Sequence, residues 1–208
     1  MQQILSEQNR AHLRGAVYRA PRFSHSYRGR NYYSMLLSVP RLSGTLDILP
    51  VTLSEPLAQQ PCLQEPGSWV EIMGQLRSFN RRIGEHHALL ISLYARSVSP
   101  CSTDQPSFNE ICLEGFVCRK PQYRTTPMRR RICDLMIAVN RSTRGSDYLP
   151  VISWGEQAEM AAAYGVGSFV RVVGRFQSRE YEKRDEQGQT EIRVAYEISA
   201  TEVKMGEF

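Results

Sequence analysis

The sequence predicts an all-β protein with two tandem five-stranded barrels, the second of which has a helix between its third and fourth strands. Three observations support this prediction. The 208 residues suit two domains of about 100 residues each. The chain repeats itself with a period of 100 residues. Several segments also alternate between apolar and polar residues, which is typical of strands with one buried face.

The internal repeat aligns residues 13–78 with residues 113–178 without a gap, and 18 of these 66 positions are identical. The matching stretches include LRGAVYRAP against LEGFVCRKP and GSWVEIMGQLRS against GSFVRVVGRFQS. Residues 88–98 align with 193–203 at an offset of 105, so the second copy has five additional residues in its last loop. A match of this length indicates two copies of one folding unit.

The repeat divides the chain into three parts. We predict a first domain at 11–98, a linker at 99–110 that is rich in Ser and Pro, and a second domain at 111–204.

The elements of the second copy can be predicted in order along its sequence. Strands are predicted at 111–117, 131–140, 148–154, 168–177 and 192–203, with a helix at 156–164. Three strands, a helix and two strands is the element order of the OB-fold, a small Greek-key barrel. Gly115 and Gly174 suit the bends that such a barrel needs. In the first copy, Pro56, Pro61 and Pro66 interrupt the segment equivalent to the helix, so a short or irregular connection is predicted there.

The composition favours a polyanionic partner. The net charge is +5, and 23 of the 26 cations are Arg, whose planar guanidinium binds phosphate and stacks on bases. Residues 1–100 carry 11 cations and 6 anions, whereas residues 101–208 carry 15 of each. The five Cys form no CxxC pair, so neither a disulfide framework nor a metal site is predicted, and no cofactor is expected.

The sequence predicts a cytoplasmic protein. No apolar run reaches the ~18 residues that a membrane span needs. The N-terminal residues MQQILSEQNR lack the basic start and apolar centre of a signal peptide.

The second copy resembles the bacterial single-stranded DNA-binding protein family. The resemblance covers nearly all of residues 111–203 and is carried by LEGFVCRKPQYR, DLMIAVNR, DYLPVISWGEQAEMAAAYGVGSFVRVVGRFQSREY and VAYEISATEV. It implies sequence-tolerant coating of single-stranded DNA in replication, recombination and repair, without enzymatic activity. Four OB-folds are the usual assembly of the family, so a chain with two implies a homodimer. The resemblance also implies association with the nucleoid, with other replication or repair proteins as possible partners. Family members usually end in a flexible tail with an acidic tip, and residues 204–208 here contain no such tip.

The resemblance also implies which residues contact DNA. The base-stacking aromatic positions of the family fall on Tyr148, Trp154 and Tyr181. Cations near these positions could meet phosphate: Arg119, Lys120, Arg124, Arg129, Arg130, Arg131, Arg141, Arg144, Arg175, Arg179, Lys183 and Arg184. A basic groove with aromatic side chains set along it is what a sequence-tolerant binder of single strands requires.

The first copy has different residues at the stacking positions. Ser54 stands opposite Trp154 in the alignment, and Ile48 stands opposite Tyr148. The first copy has instead a segment rich in Tyr and Arg, from which we select Arg22, Tyr27, Arg28, Arg30, Tyr32 and Arg41 as candidate DNA-binding residues. Two alternatives remain open for this copy. It binds DNA through this different surface, or it serves as an oligomerisation module.

Two other functions are compatible with an OB-fold. One is a protein-interaction accessory of a primosome or mobile element with little DNA affinity of its own. The other is an enzyme such as a nuclease, which would need clustered carboxylates to hold metal ions. The predicted strands contain only Asp47, Asp134 and Asp147 as candidates, so an enzyme is disfavoured.

Overall fold

The computed structural model describes residues 8–83, 86–184, 188 and 190–206, except for the side chains of 81–83, 86–87 and 183–184. Eleven strands and two short α-helices are found in this part of the chain. The first half contains β1 (Asn9–Tyr27), β2 (Arg30–Pro40), β3 (Leu46–Ser54), α1 (Glu55–Ala58), β4 (Trp69–Ile83) and β5 (His86–Pro100). The second half contains β6 (Phe108–Val117), β7 (Gln122–Thr125), β8 (Arg131–Asn140), β9 (Ser146–Trp154), α2 (Glu156–Ala162), β10 (Phe169–Arg184) and β11 (Thr190–Met205).

Each half closes into a five-stranded barrel, which confirms the predicted fold class. In the first barrel β1 pairs with β2 and β4, β3 pairs with β2 and β5, and β4 pairs with β5. In the second barrel β6 pairs with β8 and β10, β9 pairs with β8 and β11, and β10 pairs with β11. The β3–β5 and β9–β11 pairs are parallel, and the others are antiparallel. The short strand β7 adds to the outside of β8 and is not predicted by the sequence.

The alternation of residues along the strands explains how each barrel is filled. On β8, Cys133, Leu135, Ile137 and Val139 are all buried in the core of the second barrel. Successive side chains of a strand point to opposite faces, so the intervening residues face outward.

The connection between the third and fourth strands of each barrel differs as the prolines predict. In the second barrel, α2 follows Gly155, whose φ of +60° favours glycine. In the first barrel, α1 has only four residues and is followed by a single 3₁₀ turn at Pro61–Leu63. Proline has no backbone N–H to donate, so the longer helix of the second barrel has no counterpart here.

Gly174 allows β10 to bend against β11. The register of this strand pair shifts between Val173 and Gly174. A Cβ atom at Gly174 would lie 2.5 Å from the carbonyl oxygen of Ser199, a distance that side chains do not tolerate. A Cβ atom at Gly74 in the first barrel would likewise lie too close to the carbonyl oxygen of Tyr94.

The two barrels are joined edge to edge by an antiparallel pairing of β1 with β6. Asn9 pairs with Leu113, and Leu13 pairs with Asn109. Asn109 and Leu113 are the repeat equivalents of Asn9 and Leu13, so each of these pairs is the counterpart of the other. This relation defines a pseudo-twofold axis between the barrels. The buried amide of Asn9 donates to the Leu76 carbonyl at 2.8 Å, and Asn109 bonds to Phe176 in the second barrel at 2.7 Å.

Two buried carboxylates reinforce the contact between the barrels. Asp47 of the first barrel accepts hydrogen bonds from Arg41 at 2.6 Å and from the Ser178 backbone N–H at 2.8 Å. Arg41 also donates to the Ser178 carbonyl across the boundary at 2.9 Å. Asp47 is fully buried, so the Arg41 guanidinium neutralises a charge that would otherwise be costly in the core.

The pseudo-twofold counterpart has one additional arginine. Asp147 accepts hydrogen bonds from Arg141 at 2.6 Å and from the Ser78 backbone N–H at 2.8 Å. Arg77 of the first barrel donates to the same carboxylate at 2.7 Å. Arg41 and Arg141, both predicted to contact DNA, are therefore engaged in holding the barrels together. That structural role was not predicted.

Candidate nucleic-acid interface

A groove of about 880 Å³ lies between the two barrels, and residues of both barrels line it. Ile152 and Trp154 of β9 and Tyr196 of β11 line the side of the second barrel. Leu36 of β2 and Ile48 of β3 line the side of the first barrel. The groove therefore has an aromatic and aliphatic lining that can receive the flat faces of bases.

Trp154 is held in a fixed position in this groove. It is the last residue of β9, and its indole Nε1 donates a hydrogen bond to the Ser199 hydroxyl on the neighbouring strand β11 at 3.0 Å. The residue is nevertheless 38% exposed. A ring that is held at one edge and open to solvent can stack on a base at little cost in side-chain entropy.

Two arginines of the second barrel also line the groove. Arg124 donates from Nε to the Asp134 carboxylate at 2.7 Å, and this hydrogen bond raises the pKa of Arg124 above its usual value. Arg179 lies 3.4 Å from Glu197. Both arginine side chains remain about half exposed. Because each arginine has an acidic neighbour, the groove is only partly positive.

The other two predicted stacking residues, Tyr148 and Tyr181, have different neighbours from those of Trp154. Tyr148 is 46% exposed, and its backbone N–H donates to the Ser78 hydroxyl of the first barrel at 2.8 Å. Tyr181 is 38% exposed, and the guanidinium carbon of Arg179 lies 5.8 Å from the centre of its ring. Of the three aromatic residues, Trp154 lines the groove between the barrels.

The remaining predicted cations of the second barrel have varied surroundings. Six are exposed: Arg119, Lys120, Arg129, Arg130, Arg131 and Arg144. Arg175 is half-buried, and Arg131 forms an ion pair with Glu159 of α2. The side chains of Lys183 and Arg184 lie outside the described residues.

The candidate residues of the first barrel lie on or beside the β1–β2 hairpin. Arg22, Tyr27, Arg28 and Arg30 are exposed, and the Arg28 guanidinium carbon lies 5.3 Å from the centre of the Tyr27 ring. Tyr32 is half-buried and stacks on His25, with 5.1 Å between ring centres. The ring of Tyr94, which is not among the candidates predicted from the sequence, lies 6.2 Å from that of Tyr32. Tyr94 has a serine at the equivalent position of the second copy, so the family pattern gives no signal for it.

The described residues also bear on metal binding and on membrane insertion. No group of three or more His, Cys, Asp or Glu side chains lies close enough together there to hold a metal ion. None of the helices found in the same residues is long and apolar enough to cross a membrane.

Two closed barrels that share a strand pair, with a groove that combines aromatic rings and arginines, define a tandem OB-fold protein with a surface suited to nucleic acid. The pattern of the family described as the Single-strand binding protein family matches residues 108–205. A single-stranded DNA-binding protein of Clostridium tetani is 32% identical over 107 residues, which is 48% of this chain and 71% of that protein. The chain belongs to the single-strand binding protein family.

Other similarities extend this result. Single-stranded DNA-binding protein 2 of Streptococcus agalactiae is 36% identical over 83 residues, which is 36% of this chain. The match spans 63% of the length of that relative. The crystal structure of the wild-type single-stranded DNA binding protein from Thermus aquaticus superposes with a TM-score of 0.76 at 20% identity. It covers 96% of this chain and 93% of the other chain, so the tandem fold extends over both barrels.

Proposed function

We propose that the protein binds single-stranded DNA without sequence preference and protects it during replication, recombination and repair. The observation that carries this proposal is the position of Trp154, which lies in an open groove beside Arg124 and Arg179. The names of the relatives from Clostridium tetani and Streptococcus agalactiae support the same activity. The proposed role is non-enzymatic, and other replication or repair proteins are its expected partners.

The proposed binding combines two interactions. Bases of an unpaired strand stack on Trp154, each stack contributing about 1–3 kcal/mol. Exposed arginines meet the phosphates and release counterions, so binding weakens as salt rises. Duplex DNA offers phosphates but keeps its base faces stacked on one another. We therefore expect much weaker binding to duplex than to an unpaired strand.

The test is an anisotropy titration of fluorescently labelled oligo-dT with the full chain and with Trp154→Ala. Loss of one stack of about 1–3 kcal/mol corresponds to a loss of affinity of roughly 5- to 150-fold. The matched control is Trp69→Phe, because Phe169 is the natural counterpart of Trp69 in the second copy. Equal affinities of Trp154→Ala and Trp69→Phe would refute the site. A wild-type protein that does not bind oligo-dT would refute the function and favour a protein-interaction role.

We also propose that the chain forms a homodimer that presents four OB-folds. The long hairpins β4–β5 and β10–β11 expose apolar side chains in both barrels: Phe79, Leu89, Leu90, Ile192 and Val194. Leu89 and Val194 are equivalent residues of the repeat, so both hairpins offer an apolar surface that a second copy could cover.

The molar mass in solution tests the dimer. We expect twice the chain mass of 23.8 kDa for the wild type and a shift toward the monomer for Leu90→Glu/Val194→Glu. Leu42→Glu is the control, because Leu42 is fully exposed in a loop outside these hairpins. A wild-type monomer at micromolar concentration would contradict the dimer.

A further inference from the structure

The surroundings of Trp154 define one place on the outside of an OB-fold barrel. On β8, Ile132 is paired directly with Trp154. On the other side, β11 brings Ser199 into hydrogen-bonding contact with the indole. The neighbouring strands β8, β9 and β11 thus contribute an aliphatic residue, a large aromatic ring and a small hydroxyl group, respectively.

At the equivalent location of the first barrel, the aromatic residues lie on the two flanking strands instead of the central strand. Tyr32 pairs with Ser54 in β2–β3, in the register in which Ile132 pairs with Trp154. Tyr94 occupies the β5 position that corresponds to Ser199, since it pairs with Thr52 as Ser199 pairs with the equivalent residue of β9. The central ring is absent, and each flanking strand supplies a ring instead. The alignment of the two copies therefore shows only that Ser54 stands opposite Trp154.

The rings of the first barrel form a continuous aromatic surface. The ring centres of Tyr32 and Tyr94 are 6.2 Å apart with an angle of 50° between the planes. His25 stacks on Tyr32 with ring centres 5.1 Å apart and planes within 18° of parallel. Tyr32 and Tyr94 are half-buried, whereas His25 is exposed. The surface therefore has a fixed base in the barrel and an open outer ring.

Two exposed arginines accompany these rings. The guanidinium carbon of Arg96 lies 5.0 Å from the centre of the Tyr94 ring, and Arg30 begins the strand that carries Tyr32. Both arginines act electrostatically on the Tyr94 hydroxyl, but burial dominates and raises the pKa of Tyr94. The phenol is therefore neutral at physiological pH, and the positive charge of this surface comes from Arg30 and Arg96.

We propose that Tyr32 and Tyr94, together with Arg30 and Arg96, form a second base-stacking site for single-stranded DNA on the first barrel. The site lies at the pseudo-twofold counterpart of the Trp154 site. This inference rests on the proposed function and extends it to the half of the chain that has lost the stacking residues of the family. A strand long enough to reach both sites binds more tightly than a short one, because the second contact is intramolecular.

The experiment compares oligo-dT of increasing length, by anisotropy, with the full chain and its variants. Tyr32→Ile/Tyr94→Ser installs the residues of the second barrel at the two ring positions. For oligonucleotides that reach both sites, we expect a loss of roughly 5- to 150-fold and fewer nucleotides occluded per chain on poly-dT.

Adding Ser54→Trp to that variant rebuilds the arrangement of the second barrel, and we expect the length-dependent gain in affinity to return. Arg30→Gln/Arg96→Gln changes only exposed side chains and provides a test that does not depend on the packing of the tyrosines. For long oligonucleotides, it should reduce the slope of log affinity against log salt by about 1.4, at about 0.7 for each phosphate contact.

The outcomes separate this inference from the proposed function. If Trp154→Ala weakens binding while the two double variants retain wild-type affinity, site size and salt slope, the second site is wrong and the proposed function stands. If the wild-type protein does not bind oligo-dT, both are wrong.

Discussion

Replacement of Asp147 by alanine should destabilise the protein strongly, because this carboxylate joins the two barrels. Asp147 is fully buried and accepts hydrogen bonds from Arg77, from Arg141 and from the Ser78 backbone N–H. The substitution leaves two guanidinium groups without their anion and one backbone donor without an acceptor. Breaking a buried ion pair by removing one partner costs about 3–5 kcal/mol. For a chain of this size, that corresponds to a decrease in Tm of roughly 6–20 °C.

The assay is urea denaturation followed by circular dichroism, together with thermal melting. Asp134→Ala is the matched control, because Asp134 also pairs with an arginine but lies at the surface, where such pairs contribute about 0–1 kcal/mol. Asp47→Ala should lie between the two, since Asp47 has one arginine partner and Asp147 has two. If Asp147→Ala costs no more than Asp134→Ala, the role assigned to this carboxylate is wrong.

Two further predictions concern the barrel walls. Gly174→Ala should cost about 1–3 kcal/mol through overpacking against the Ser199 carbonyl. Gly165→Ala should change the free energy of unfolding by less than about 0.5 kcal/mol, because a Cβ atom there would meet only the Ser168 hydroxyl, at 4.0 Å. Equal effects in urea denaturation would contradict the close approach at Gly174. Hydrogen bonds from His12 and Arg14 lower the pKa of Glu71, so its contribution to stability is present above the usual glutamate pKa of about 4.3 and is lost as the pH falls below it. The difference in unfolding free energy between wild type and Glu71→Gln should therefore be largest at neutral pH and shrink in acid, and a pH-independent difference would refute it.

The strands of the barrels are predictable from the sequence where one face is buried and the other is not. The predicted strand at 131–140 is found as β8 with the same bounds, because Cys133, Leu135, Ile137 and Val139 give a clear alternation. The predicted strand at 168–177 continues to Arg184 in the structure. Its second part extends into a hairpin with little burial, so alternation cannot mark its end. The short strand β7 is exposed at all four residues and has no hydrophobic signal for the same reason.

The candidate site is only partly predictable. The family pattern leads to Trp154, which lies in the groove, but also to Arg141, which is bound to Asp147. One signal in the sequence could have separated the two. Arg141, Asp147 and Ser178 are each identical in the other copy, whereas Trp154 is not. Positions that stay the same in both copies, while the proposed ligand-binding positions differ, favour a role in the shared architecture. The partners of those residues across the barrel boundary cannot be inferred from one sequence, because they depend on the register of β1 against β6.

The pairing of β1 with β6 takes place within one polypeptide, and this has a consequence for how the two halves can change. In an assembly of identical single-barrel subunits, every substitution appears on both sides of the twofold axis at once. Here each half mutates alone, so Arg77 can reach Asp147 while its counterpart in the second copy, Gln177, carries no charge. The junction is also independent of dilution, since neither barrel can diffuse away from the other. Covalent linkage thus keeps the two halves assembled while it allows each to acquire its own surface.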